Sequence, residues 1–287
     1  MTTGLERIAE KARKETKLVF TSLLHHVTKG LIWESLCHIP KTSAPGVDGQ
    51  RVEEAKKTFG NWSEEMITAI HRCGYKAPAI RRVYIPKPGK VEKRPIGIPP
   101  IADRALQRSV SKVLSAIYEE DFLKCSFGGR PGKGAHQALC TFNEVVAGKK
   151  VSWVLECDLK NFFGSLNHEW LLRFVQHRVG DPRIICLLRR WLKAGILEEG
   201  CLRENQEGTP QGGSISVLLS NLYLHYVLDL WWERVAKPRM GGEVYLIRYL
   251  DDFVVCLQYR ADAIQFREAL EERSKNFRCS WSQPKPS

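Results

Sequence analysis

Apolar residues recur at helical spacing over residues 1–35, with a mixed-charge face between them, until "KTSAPGVDG" (Lys41–Gly49) breaks the pattern with Pro and two Gly. Residues 50–74 return to the helical period. "RRVYIPKPGKVEKRPIGIPP" (Arg81–Pro100) predicts two short strands around a basic, Gly-bearing turn. Pro86, Pro88 and Pro95 limit its pairing, so it reads as an edge ribbon. A helix is predicted over 101–120, and "SFGGRPGKGAHQAL" (Ser126–Leu139) is a Gly-rich loop feeding another. A strand over Val151–Leu159 follows, then helices over 167–195. A polar loop, "LRENQEGTPQGGSIS", leads into a long apolar helix near 215–235. The segment Val244–Tyr259 runs apolar into Asp251 and Asp252 and apolar out again, the signature of a hairpin. A last helix is predicted near 261–276.

The chain has 287 residues, enough for one large domain or two intimate ones. Its hydrophobic share of 43% and charged share of 26% are those of an ordinary globular protein. The net charge of +12 is less ordinary and points to a polyanionic partner, most simply nucleic acid, with a merely soluble basic protein an equal reading on charge alone. Nine cysteines without a C-x-x-C pair suggest neither a disulfide framework nor a zinc site, and so a reducing, cytoplasmic location. The N-terminus lacks a signal-peptide core and no apolar run reaches spanning length, so no membrane partner is expected.

Two adjacent acids make a costly turn, because they repel each other. The order strand–helix–helix–hairpin–helix predicts an α+β unit, a small antiparallel sheet backed by helices on one face. In such a sheet the strand end at Asp158 can lie beside the turn at Asp251 and Asp252. Three converging carboxylates would hold two Mg²⁺ ions about 3.5–4 Å apart, the spacing used in phosphoryl transfer, with Mn²⁺ as a substitute. One isolated acid at a strand end is more often a plain turn residue.

Six blocks in order carry a resemblance: "SAPGVDG", "YIPKPGKVEKRPIGIPPIADRALQ", "SFGGRPGKGAHQA", "ECDLKNFFGSLNHEWL", "TPQGGSISVLLSNLYLHYVLDLWW" and "RYLDDFVVC". Together they resemble the reverse transcriptases encoded by group II introns and their retron-type relatives. The resemblance implies the fingers and palm of a right-hand polymerase. It implies fingers over 81–150 and a palm over 151–287, with fingers elements within 168–210, preceded by a helical extension over 1–80. The implied activity is RNA-directed DNA synthesis, with an RNA template, a DNA or RNA primer, deoxynucleotides and group II intron RNA as partners.

By the same resemblance Asp158 and Asp251 are metal ligands, with the Leu159 carbonyl a further one and Asp252 a less constant one. Tyr249 would lie beside the primer end, although a sheet-packed aromatic is a nearly equal reading. Phe163 would sit under the sugar and exclude a 2′-hydroxyl, while Phe162 is expected in the core. Gln211 would contact the nucleotide, with Gly212 allowing close backbone approach. Lys87 and Arg94 fall to the triphosphate, where fixed cations suit an anionic transition state. Arg130 would bind nucleic-acid backbone. Lys11, Arg13, Lys14 and Lys17 form either an RNA contact or, more simply, a solvated helix face.

The sequence departs from the family pattern at four places before its C-terminal stretch. Gly129 stands where an aromatic is usual, which removes a packing anchor. Gly164 replaces a common Asp, Val217 a Pro, and Leu250 a frequent Ala or Ile. After "ALEERSKNFRCSWSQPKPS" neither a further palm strand nor a helical thumb follows, so the expectation is a fingers-and-palm piece of reduced processivity. Two other readings stand beside the polymerase: a catalytically impaired piece that only binds intron RNA, and an RNA-dependent RNA polymerase, against which Phe163 argues.

Overall fold

The computed structural model describes residues 3–86, 89, 93–160, 162–198, 201–203, 208, 213–277 and 280–281. Helices α1 (Thr3–Lys14), α2 (Lys29–Cys37), α3 (Val52–Lys57) and α4 (Phe59–His71) come first. A ribbon of β1 (Ile80–Pro86) and β2 (Lys93–Ile98) leads to α5 (Ile101–Asp121) and α6 (Ala135–Gly148). Strand β3 (Trp153–Lys160) precedes the single turn α7 (Phe162–Ser165), then α8 (His168–Gln176) and α9 (Pro182–Leu192). Next are β4 (Ile196–Glu198), β5 (Cys201–Arg203) and α10 (Ser216–Leu224). The hairpin β6 (Val244–Tyr249) and β7 (Asp252–Leu257), α11 (Arg260–Phe277) and the short β8 (Ser280–Trp281) close the described chain.

The chain forms two compact units, residues 1–121 with 172–216, and residues 122–171 with 217–287. The first unit holds the N-terminal helices together with β1, β2 and α9. The Gly-rich loop and α6, expected with the fingers, belong to the second unit.

In the first unit α5 buries Ala105, Leu106, Val110, Val113, Leu114 and Ile117, a stripe at helical spacing. Ser109 lets α2 approach, its hydroxyl bonding Ser35 Oγ and the Leu31 carbonyl. Asp181 caps α9 ahead of Pro182 and also accepts the Leu23 and Leu24 N–H groups at 2.8 and 3.0 Å. Burial alone would push its carboxyl up, but Arg183 and these backbone donors hold it at about 2. Strands β4 and β5 form a hairpin between the helices predicted to end at 195 and the polar loop predicted from Leu202, where no strand is expected. The unit's sheet runs β2-β1-β4-β5, with β4 parallel to β1.

The second unit carries a sheet of order β6-β7-β3-β8, antiparallel throughout. Along β3 the exposed Glu156 and Asp158 alternate with the buried Cys157 and Leu159. Ile247 and Val254 are covered by Phe127, Ala138 and Phe142 from the Gly-rich loop and α6. The long apolar helix is α10 continued through two π-helical stretches, His225–Asp229 and Trp232–Ala236. Where no further palm strand was expected, Ser280–Trp281 add a two-residue strand beside Leu159 and Lys160.

Candidate active site on the second unit

The site is set by strand register. Asp158 on β3 is the direct partner of Asp252 on β7, and Asp252 is in turn the partner of Tyr249 on β6. Partners directly across antiparallel strands share a face, so Tyr249, Asp252 and Asp158 form one transverse row. All three are exposed, and Asp251 is half-buried in the turn beside them. Like charges directly opposite destabilise a sheet unless something neutralises them. Their hard oxygen donors on one open face suit a small divalent cation that takes few protein carboxylates and completes its octahedron with water and phosphate. Among the described residues no group of three His, Cys, Asp or Glu side chains could by itself hold a metal ion.

The turn is a two-residue loop, Leu250–Asp251, between paired Tyr249 and Asp252. Leu250 has φ +57°, and Asp251 is not in the positive region, the II′ combination. A bulky residue at the first position of such a turn is an outlier, because glycine normally takes it. The neighbouring loop is shaped around it. A β-carbon at Gly128 would fall 2.5 Å from the Leu250 backbone nitrogen. Gly129, at φ +68°, lies against Val217 Cγ1 and the Leu250 side chain so closely that a β-carbon would collide with the valine. Three of the four departures from the family pattern therefore meet at one spot. The anchor expected to be missing at Gly129 is replaced, because Val217 and Leu250 occupy the space.

Behind the turn lies Arg248, fully buried and the largest such side chain described. Its Nε and Nη2 donate to Asp229 at 2.8 and 2.6 Å. Its Nη2 also donates to Ser126 Oγ at 2.8 Å, and its Nη1 to Asn221 Oδ1 at 2.9 Å and the Leu250 carbonyl at 3.0 Å. Asn221 Nδ2 in turn donates to the Gly128 carbonyl at 2.8 Å. Sequence reasoning missed this group, although a signal existed. In β6 Arg248 shares the parity of Val244 and Leu246, so a charged residue stands at a core-facing position.

The other predicted residues fall in different places. Leu159 is buried on β3, and Phe162 is core, packed edge-on at 6.2 Å to Tyr223. Phe163 is half-buried, edge-on to Phe162 at 5.6 Å. Arg94 is exposed on β2 opposite Ile85, in the first unit. Lys87, Gln211 and Gly212 lie outside the described residues. Arg130, which the resemblance assigns to nucleic-acid backbone, is held by its own loop. Its Nη1 donates to the Leu123 and Ser126 carbonyls at 3.0 and 2.8 Å, and its guanidinium stacks 5.1 Å from the Phe122 ring centroid. It is 8% exposed. Among the N-terminal cations, Arg13 pairs with Glu120 and Lys14 with Glu10.

Comparison with known proteins adds to this geometry. The profile described as "Reverse transcriptase (RNA-dependent DNA polymerase)" matches residues 85–286. The group II intron-encoded protein LtrA of Lactococcus lactis subsp. cremoris is 32% identical over 254 residues, covering 83% of this chain and 41% of LtrA. Protein YkfC of Escherichia coli K12 is 36% identical over 243 residues, covering 75% of this chain and 63% of YkfC. Nuclear intron maturase 3 of Arabidopsis thaliana is 26% identical over 180 residues, covering 55% of this chain and 24% of that protein. The chain thus spans less than two thirds of each of these relatives. No helix among the described residues is long and apolar enough to cross a membrane.

Proposed function

From the premise that the chain belongs to the reverse transcriptase (RNA-dependent DNA polymerase) family, with group II intron-encoded proteins among its relatives, we propose that it extends a primer on an RNA template by nucleotidyl transfer. The observation that carries the reading is the register that pairs Asp158 with Asp252 beside a turn bearing Asp251.

The primer 3′-oxygen forms a bond to the α-phosphorus of a deoxynucleotide, the bond to the β-phosphate oxygen breaks, and pyrophosphate leaves. The hydroxyl proton passes to water. Mg²⁺, when bound, would supply the Lewis acidity that eases loss of that proton and the positive charge that the phosphoryl group needs. The chain's own residues fix the geometry. Asp158 and Asp251 would hold the cations, with the Leu159 carbonyl and Asp252 as supplementary donors. Tyr249, in the same exposed row, supports the primer end. Phe163 sets its ring against the sugar and excludes a 2′-hydroxyl. Lys87 and Arg94 take the triphosphate, and Gln211 with Gly212 the nucleotide, as the resemblance assigns them. Intron RNA is the natural template class, given the relatives' names and the net charge of +12.

Single-nucleotide addition to a primer on an RNA template tests the reading. The unmutated chain incorporates a deoxynucleotide with Mg²⁺. Asp251→Ala slows this by on the order of 10³-fold at an unchanged melting temperature. Phe163→Ala admits ribonucleotides. RNA binding that survives Asp251→Ala, with no incorporation by the unmutated chain, would mean that the protein only binds RNA.

A further inference from the structure

Arg248 uses all five of its N–H donors inside the protein, on Asp229, Asn221, Ser126 and the Leu250 carbonyl. Its backbone is held as well, since Arg248 N donates to the Cys125 carbonyl and its own carbonyl accepts from Phe127 N. A buried ion pair of this kind is weak evidence for stability. Desolvating both charges offsets most of their attraction, and apolar residues of similar volume often serve as well. The pair therefore calls for a reason beyond folding.

The reason lies in where the fifth donor lands. Turn classes I′ and II′ share a positive φ at the first central residue and differ by rotation of the central peptide plane. In this turn that plane is the Leu250–Asp251 peptide, and its oxygen is the one bound by Arg248 Nη1. The bond selects one orientation of the plane. That orientation sets the backbone from which the Asp251 side chain leaves. Asp229 neutralises the guanidinium, Asn221 and Ser126 prevent its rotation, and Asn221 ties the same assembly to Gly128 under the turn.

We propose that Arg248 is a positioning residue of the nucleotidyl-transfer site, a buried clamp that fixes the Leu250–Asp251 peptide plane and so aims the Asp251 carboxylate. The assignment rests on the function proposed above and extends it to a residue that touches neither substrate nor cation.

The test separates aim from fold. Arg248→Lys keeps the charge beside Asp229 but lacks the planar fork that reaches Leu250. The double variant Arg248→Met with Asp229→Leu removes both buried charges together. Binding of Mn²⁺ is read from the loss of the free-ion electron paramagnetic resonance signal, beside thermal unfolding and single-nucleotide addition. In whichever variant unfolds cooperatively near the unmutated temperature, Mn²⁺ affinity falls roughly 10-fold and kcat for addition roughly 100-fold, as for other residues that orient metal ligands. KM for the deoxynucleotide moves far less. A folded variant with full Mn²⁺ affinity and kcat overturns the proposal. The function itself fails by a different result, when Asp251→Asn binds Mn²⁺ as well as the unmutated chain does.

Discussion

Apart from Asp158 on β3, the charged residues proposed for the reaction sit on or next to two β-ribbons, and these are built in opposite ways. In β6–β7 every residue except Tyr249 and Asp252 is buried or half-buried, and the turn is two residues long. In β1–β2 burial fades from Ile80 toward the far end, where Tyr84 and Ile85 are 47% and 48% exposed. The first ribbon presents anions from a packed sheet; the second presents cations from an open arm. Electrostatics explains the contrast. A set of carboxylates repels itself and must be held in place before any cation arrives, which requires a core behind it. Cations that meet a triphosphate are drawn in by the ligand itself, so they can stand on a solvated strand.

The contrast can be broken first at the turn. Gly129→Ala forces a β-carbon into Val217 at a left-handed φ, with an expected loss of roughly 2 kcal/mol or more. Primer addition should fall at the same time, because Leu250 rests on the same spot. Pairing it with Val217→Ala should recover part of the stability in a denaturant titration. On the open ribbon, Arg94→Ala should raise KM for the deoxynucleotide about 10-fold, equivalent to about 1.4 kcal/mol, with no change in melting temperature. Equal damage to stability from both substitutions would erase the distinction.

The smallest effect comes through His225, buried edge-on to Phe122, with no hydrogen-bond partner for Nδ1 among the described residues. Burial pushes its imidazole down to about 4. The unfolded chain, near 6.5, therefore takes up a proton first as pH falls. Stability contributed by the neutral ring is complete above about 6.5 and is lost as pH falls toward 4, on the order of 1 kcal/mol at pH 5.5. His225→Phe should flatten that part of the profile. Amide exchange at pH 5.5 should then show β6–β7 protected in the variant, with β1–β2 indifferent to the change.

Elements with a strong local period were legible in the chain itself. The helix predicted over 101–120 is α5 at Ile101–Asp121, and the strand ending near Asp158 is β3. The two acids read as a hairpin because apolar runs flank them. What could not be read was fixed at long range. The three-residue strands β4 and β5 are too short to show alternation, and β4 exists by pairing with β1. Arg130 is a local exception, because the carbonyls of Ser126 and Leu123 that take its guanidinium lie four and seven residues earlier, and a carbonyl's direction leaves no trace in the sequence. Asp229 sits in an apolar helical run, where one acid has no visible partner until the fold brings Arg248 to it.

The parallel pairing of Ile80 with Ile196 has a consequence for how the protein is made. The open ribbon emerges from the ribosome early, but the strand that completes its sheet follows roughly 6–20 s later at ordinary elongation rates. During that interval β1 shows a bare edge, and nascent chains with such edges are natural clients of chaperones. Slowing translation between these positions should lengthen that exposure and lower the soluble yield.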